Sequence, residues 1–136
     1  MMAPESTPGL HVPRVLIVDD DEDLGLVLGD VVTYLGGGNS VIARSLEDVQ
    51  QHADEAVACS LAIIDINLGH GMPTGVDVVH WLRSRSFRGR VVFLTGHASD
   101  DPKVITASKV ADTRLLSKPI DASTIESLLR ESGIVR

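Results

Sequence analysis

Three short, nearly unbroken apolar runs in this chain end on residues equipped for chemistry. Val15-Leu16-Ile17-Val18 runs into Asp19-Asp20, Leu61-Ala62-Ile63-Ile64 into Asp65, and Val91-Val92-Phe93-Leu94 into Thr95. A fourth segment, Leu115-Leu116-Ser117, leads to Lys118. Runs of this kind read as parallel strands buried on both faces, and ligand sites in that architecture gather at the carboxyl edge of the sheet. The chain is thereby confined to an α/β fold in which carboxylates, a hydroxyl and an ammonium converge on one edge.

The intervening segments carry helical patterns, which makes five βα units. The strands are expected at Arg14–Val18, Ser40–Ala43, Leu61–Asp65, Val91–Thr95 and Leu115–Ser117. In the first helix Leu24, Val27, Leu28, Val31 and Leu35 recur at helical spacing and define the expected inner face, with Asp21 as N-cap and Gly36-Gly37-Gly38 as the stop. Gly25 and Gly29 are then expected on its exposed side, where they would leave a shallow docking surface for a partner helix. The second helix starts at Ser45 and buries Leu46, Val49, Ala53 and Val57. The third runs from about Val76 to Arg85 around Val78, Val79 and Leu82. Asp100-Asp101-Pro102 opens the fourth, and the fifth begins near Asp121 and stops at Gly133.

At 136 residues the chain suffices for one domain with a core that needs no staples. The expected organisation is a disordered tail over residues 1–13, a domain over 14–133 and a short C-terminal tail over 134–136. Cys59 is the only cysteine, and it reads as a small apolar filler. That composition fits a reducing, cytoplasmic setting. A formal charge of -7 opposes nonspecific nucleic-acid binding, and four aromatics, Tyr34, Trp81, Phe87 and Phe93, are too few for a base-stacking platform. No apolar run approaches a membrane span.

Adjacent carboxylates at a strand end suit Mg²⁺, a hard cation that keeps several waters and takes one or two protein carboxylates. Asp19 and Asp20 fit that role. Asp65, at the end of an apolar strand, needs a cation or a reaction to justify its charge, and it is separated from the next helix by Gly69-His70-Gly71-Met72-Pro73-Thr74-Gly75. Kept ionised, it can attack a phosphorus atom to form an acyl phosphate. Thr95 offers a hydroxyl to a phosphoryl oxygen, and Lys118 a mobile point charge. The proline after Lys118 points to a cis bond that turns the chain tightly there. His11, His52, His70, His80 and His97 show no metal-ligand spacing. Only His97, two positions beyond Thr95, is placed to border the site.

The ordered set Val18-Asp19-Asp20, Asp65, Thr95 and Lys118-Pro119 resembles the receiver domain of two-component response regulators, over about Arg14 to Gly133. The separations are 45 residues from Asp20 to Asp65, 30 from Asp65 to Thr95 and 23 from Thr95 to Lys118. The resemblance implies a doubly wound, flavodoxin-like five-stranded parallel sheet in the order 2-1-3-4-5, flanked by five helices. It implies Asp65 as the phosphoacceptor, Mg²⁺ held by Asp19, Asp20, Asp65 and the carbonyl of Asn67, and Thr95 and Lys118 as contacts of the phosphoryl group. It implies a histidine kinase or histidine phosphotransfer protein as donor, and a single-domain switch or relay in place of a turnover enzyme.

Three features depart from the family pattern. The loop after Asp65 is longer, with Gly75 ten positions on. Leu115 stands where many receivers carry a tyrosine or phenylalanine that reports phosphorylation. Ala111-Asp112 replaces the glycine-alanine pair common before the fifth strand. Two rivals are a haloacid-dehalogenase type phosphatase, which also uses aspartate, magnesium, threonine and lysine, and a phosphorylation-independent interaction module. The first expects an Asp-x-Asp nucleophile motif with a threonine close behind it. Asp19-Asp20-Asp21 has no such threonine nearby.

Overall fold

The computed structural model describes residues 14–96 and 100–136. The strands β1 (Val15–Val18), β2 (Ser40–Ala43), β3 (Leu61–Asp65), β4 (Arg90–Thr95) and β5 (Thr113–Ser117) form one parallel sheet in the order β2-β1-β3-β4-β5. Six helices are found among the described residues: α1 (Glu22–Tyr34), α2 (Leu46–Gln51), α3 (Ala53–Ala58), α4 (Gly75–Ser84), α5 (Pro102–Ser108) and α6 (Ala122–Glu131). The expected order of strands is the observed one. The five expected helices become six because the second is interrupted at His52, with φ -113° and ψ 35°. The His52 N–H turns back to the Val49 carbonyl at 3.0 Å, and its ring Nδ1 lies 3.0 Å from the Asp48 carbonyl oxygen.

Side-chain alternation along the strands divides the core between the two faces of the sheet. Leu16, Val18, Ala62, Ile64, Val91 and Phe93 pack with Val49, Ala56, Val78, Val79, Leu82, Val104 and Ala107 from α2 to α5. Val15, Ile17, Leu61, Ile63, Val92 and Leu94 face Leu28, Val32, Ile125, Leu128 and Leu129 from α1 and α6. Ile134 is buried in this second cluster, and Arg14 Nη1 donates to its carbonyl.

The helix starts follow the sequence signals. Asp21, Ser45, Asp101 and Asp121 each accept a backbone N–H in the first turn of the following helix, which satisfies donors the helix cannot pair internally. Thr74 and Asp77 form a capping box at α4. Trp81 packs against the core, with the Arg85 guanidinium 5.3 Å from its ring centroid.

The inner face of α1 is the expected one only in part: Leu28 is buried and Leu24, Val31 and Leu35 pack against the second cluster, but Val27 does not. Its buried residues are Gly25, Leu28, Gly29 and Val32, while Val27 is 55% exposed and Leu26 50%. The helix is rotated so that its two glycines lie against β2. A Cβ on Gly29 would stand 2.8 Å from Ile42 Cδ1, and one on Gly25 would stand 3.2 Å from Ile42 Cγ2. Close approach of α1 to the sheet therefore outweighs burial of the longer apolar side chains. The expected docking face at Gly25 and Gly29 is corrected: both glycines are interior packing positions.

Candidate functional site

The sheet topology brings the ends of β1, β3, β4 and β5 to one edge, and the polar residues that follow the apolar runs meet there. Asp19 is 1% exposed and Asp65 6%, values that a carboxylate tolerates only with compensating charge or hydrogen bonds. Lys118 supplies both. Its Nζ lies 2.9 Å from Asp65 Oδ2 and 3.0 Å from Asp19 Oδ2. The Asp21 N–H donates to Asp19 Oδ1 at 2.9 Å, and the Asn67 N–H donates to Asp65 Oδ1 at 3.2 Å.

The lysine is held from below by backbone. Its N–H donates to the Thr95 carbonyl at 2.8 Å, which ties it to the end of β4, and the Lys118-Pro119 bond is cis as the sequence suggests. Thr95 itself is buried beside Ser117 in the β4–β5 register.

Asp20 is exposed, and one carboxylate oxygen from each of Asp19, Asp20 and Asp65 can lie within 4.8 Å of the others. Such a set of hard oxygen donors, open at one member and buried at the others, fits the chemistry of Mg²⁺. Burial drives the Asp65 carboxyl above its ordinary pKa of 3.8. Lys118 opposes that rise, Asp19 adds to it, and the Asn67 N–H opposes it without reversing it. Burial pushes the Lys118 ammonium down, but hydrogen bonds to Asp65 and Asp19, with their charges, hold it above its ordinary value. The site is thus an anionic cluster with one embedded cation, in which desolvation is the largest influence on both titrating groups.

Asn67 follows β3 and is half-buried. Its side-chain Oδ1 accepts the Gly69 N–H and the ammonium of Lys103, each at 3.2 Å. Lys103 was not apparent from sequence. It sits just after the Asp101-Pro102 helix start, where a lone lysine looks like any other solvated one. His97, expected to border the site, lies outside the described residues. His52, His70 and His80 are exposed.

The edge of the sheet is also shaped by Gly75. Its N–H donates to the Ile66 carbonyl at 2.9 Å, and a Cβ there would overlap the Asp65 carbonyl oxygen. The longer loop after Asp65 is therefore brought back into direct contact with the β3 terminus. Leu115 is 36% exposed on β5. A surface cleft among Cys59, Arg83, Phe87, Arg90 and Glu131 lies under the amino ends of the strands, away from the carboxylates. Two of its arginines are engaged: Arg83 donates to the Ala111 and Asp112 carbonyls, and Arg90 to the Glu131 carbonyl.

Comparison with known proteins gives a consistent picture. Residues 15–130 match the family described as the response regulator receiver domain. The photosynthetic apparatus regulatory protein RegA of Rhodovulum sulfidophilum is 34% identical over 125 residues, covering 89% of this chain and 63% of the relative. The protein of the same description from Rhodobacter capsulatus is 32% identical, covering 97% and 70%. The chain thus spans about two thirds of the length of these relatives. Among solved structures, the receiver domain of the Erythrobacter litoralis PhyR response regulator superposes with a TM-score of 0.72 at 23% identity, over 94% of this chain and 95% of that one. At that identity the likeness speaks for the fold.

Proposed function

The chain belongs to the response regulator receiver domain family, and on that premise we propose that it works by accepting a phosphoryl group on Asp65. Receiver domains are signalling domains, phosphorylated by histidine kinases, and they generally bind Mg²⁺ at an acidic cluster. The observation that carries the residue assignment is the position of Lys118 Nζ between Asp65 Oδ2 and Asp19 Oδ2. It holds a charged nucleophile in place and leaves a cation beside the position where phosphoryl oxygens would arrive.

In this reading Asp65 attacks the phosphorus of a phosphohistidine on a kinase or phosphotransfer protein. The new O–P bond forms as the N–P bond breaks, and the imidazole leaves with the electron pair. Thr95 presents its hydroxyl to one phosphoryl oxygen and Lys118 its ammonium to another. Asp19, Asp20, Asp65 and the Asn67 carbonyl would hold Mg²⁺, which when bound offsets charge on the transferring group. Water later attacks the phosphorus, the O–P bond breaks and Asp65 is restored as carboxylate. The working unit is residues 14–133, with Ile134 adding its side chain to the core. It serves as a cytoplasmic switch or relay, without nucleic-acid or membrane binding; none of the described helices is long and apolar enough to cross a membrane.

The phosphatase reading is not favoured, because the family match covers residues 15–130. Labelling with acetyl phosphate tests the proposal. Incorporation is expected to require Mg²⁺ and to map by peptide analysis to Asp65. Labelling elsewhere, or undiminished labelling of Asp65→Asn, refutes it. Unchanged cellular output from a fully unlabelled Asp65→Asn protein would support the phosphorylation-independent module instead.

A further inference from the structure

We infer that Lys103 is a second phosphoryl-binding cation of the Asp65 site, resting on Asn67 until a phosphoryl group is present; the inference builds on Asp65 as phosphoacceptor. Asn67 stands between the two residues. Its N–H donates to Asp65 Oδ1 and its side-chain Oδ1 accepts from Lys103 Nζ. One residue thus separates the Lys103 ammonium from the nucleophilic carboxylate, although the two are 38 positions apart in the chain.

The partners are unequally matched. A neutral amide oxygen, already shared with the Gly69 N–H, gives Lys103 a hydrogen bond that is charged on one side only. A phosphoryl group brings about two negative charges and further acceptor oxygens into the same pocket. The bond to Asn67 is charge-assisted on the donor side alone, whereas an anionic phosphoryl oxygen adds direct charge–charge attraction that a partly buried site screens less than water does, so the ammonium gains by the exchange. The ammonium can reorient for the exchange, since a lysine carries its charge on a flexible four-carbon stem. Lys103 is half-buried near the start of α5, just after the Asp101 cap that receives its own N–H at 2.8 Å. The backbone is therefore anchored while the side chain can turn. Lys118 bridges Asp19 Oδ2 and Asp65 Oδ2, whereas Lys103 meets the site through Asn67, whose N–H is on Asp65 Oδ1.

The same exchange links phosphorylation to α5. Pulling the lysine from the loop after β3 removes the Asn67–Lys103 hydrogen bond, which joins that loop to α5. The neighbouring α5–β5 surface carries Ile105 at 41% exposure and Leu115 at 36%. Lys103 therefore offers a route to that surface in a chain with leucine at 115.

The test uses the whole chain in magnesium buffer. Beryllofluoride, a phosphoryl mimic, is titrated by calorimetry, and the initial rate of Asp65 labelling by acetyl phosphate is followed in parallel. Lys103→Met retains the stem and loses the charge, and is expected to weaken beryllofluoride binding on the order of tenfold, with a similar slowing of labelling. Lys103→Arg should recover most of both, and the apo melting temperature should stay near that of the wild type. Wild-type affinity and rate in Lys103→Met overturn the inference. So do equal losses in the Met and Arg variants accompanied by a lowered apo melt, which would assign the residue a purely structural part. A wild-type chain that is not labelled at Asp65 instead refutes the phosphoacceptor assignment, before any Lys103 variant is compared.

Discussion

Lys118 Nζ lies 2.9 Å from Asp65 Oδ2, and the lysine side chain retains 22% exposure while the aspartate retains 8%. Removing one member of such a pair strands a buried charge, which costs more than the pair contributes. Lys118→Met is expected to lower apo stability by about 3 kcal/mol at neutral pH, the low end for a broken buried pair because the lysine keeps some water. Denaturant melts at two pH values check this. With Lys118 gone, the main influence that lowers the Asp65 pKa is gone too, so the loss should shrink as the pH is lowered and the carboxyl takes up a proton. A loss independent of pH would mean that the cost is one of packing.

Metal and protons should act in opposite directions on the wild type. The folded pKa of Asp65 is raised above 3.8, so the native state holds a proton that the unfolded chain has released. The contribution of this group is therefore fully present below 3.8 and falls as pH rises through the folded value. Mg²⁺ needs ionised carboxylates, and a ligand that binds only the native state adds stability with the logarithm of its excess over Kd. The magnesium-induced rise in melting temperature should accordingly grow with pH through the same window. Asp20→Asn should abolish most of that rise. Because Asp20 is exposed, relieved repulsion should raise metal-free stability by less than about 1 kcal/mol.

Gly75→Ala is expected to damage site and fold together. The added carbon would overlap the Asp65 carbonyl oxygen and stand 3.0 Å from Ile64 Cγ2. Backbone cannot yield as a side-chain end can, so either α4 or the end of β3 must move. A loss of about 2–3 kcal/mol is expected, in the upper range for overpacking, together with slower labelling of Asp65. Stability and labelling rate measured on the same preparation would reveal it. An unperturbed variant would mean that the α4 start has slack.

What the sequence made legible follows from how directly each feature is encoded. Buried parallel strands appear as continuous apolar runs, so their carboxyl ends, and Asp19, Asp65 and Thr95 with them, could be placed by inspection. Caps at Ser45, Asp101 and Asp121 rest on contacts within one turn and were equally readable. The orientation of α1 was legible only in part: Leu24, Leu28, Val31 and Leu35 do meet the core, but Val27 does not and Gly25 and Gly29 do. Leu24, Val27, Leu28, Val31 and Leu35 fit a helical stripe, yet contact distance to β2 decides the face, and a glycine's capacity for close approach leaves no mark in hydrophobic periodicity. The break at His52 falls within a continuous helical pattern. The Lys103–Asn67 contact spans 36 residues and exists only once β3 and β4 are paired.

The corrected place of Gly29 gives a prediction of its own. Alanine in a helix interior gains about 1 kcal/mol over glycine, but here its Cβ would stand 2.8 Å from Ile42 Cδ1. The obstructing atom is a side-chain end, so the strain should only modestly exceed the propensity gain, leaving Gly29→Ala destabilised by about 1 kcal/mol. Shortening the neighbour should uncover the gain: Gly29→Ala with Ile42→Val is expected to be more stable than Ile42→Val alone. Equal stabilities in that pair would place the clash elsewhere.

Cys59 should be chemically silent until the chain unfolds. It is 3% exposed, and its Sγ donates to the Glu55 carbonyl at 3.3 Å. Burial, with a smaller push from the Glu55 charge, raises its thiol from 9.0 to about 12. Since the thiolate is the reacting form, a shift of that size leaves roughly a thousandfold less of it near pH 8 than an ordinary thiol would have. Ellman's reagent should therefore label the native protein slowly and the urea-unfolded chain at once. The linkage has the opposite sign to that of a salt-bridged acid: the fold keeps a proton that the unfolded chain loses above 9.0, so stability falls as pH climbs from there toward about 12. Cys59→Ala removes the titrating group and should flatten that fall, while leaving a small cavity that costs about 1 kcal/mol at neutral pH. Rapid labelling of the native wild type, with no slowing relative to urea, would show that the segment linking α3 to β3 opens far more readily than its burial implies.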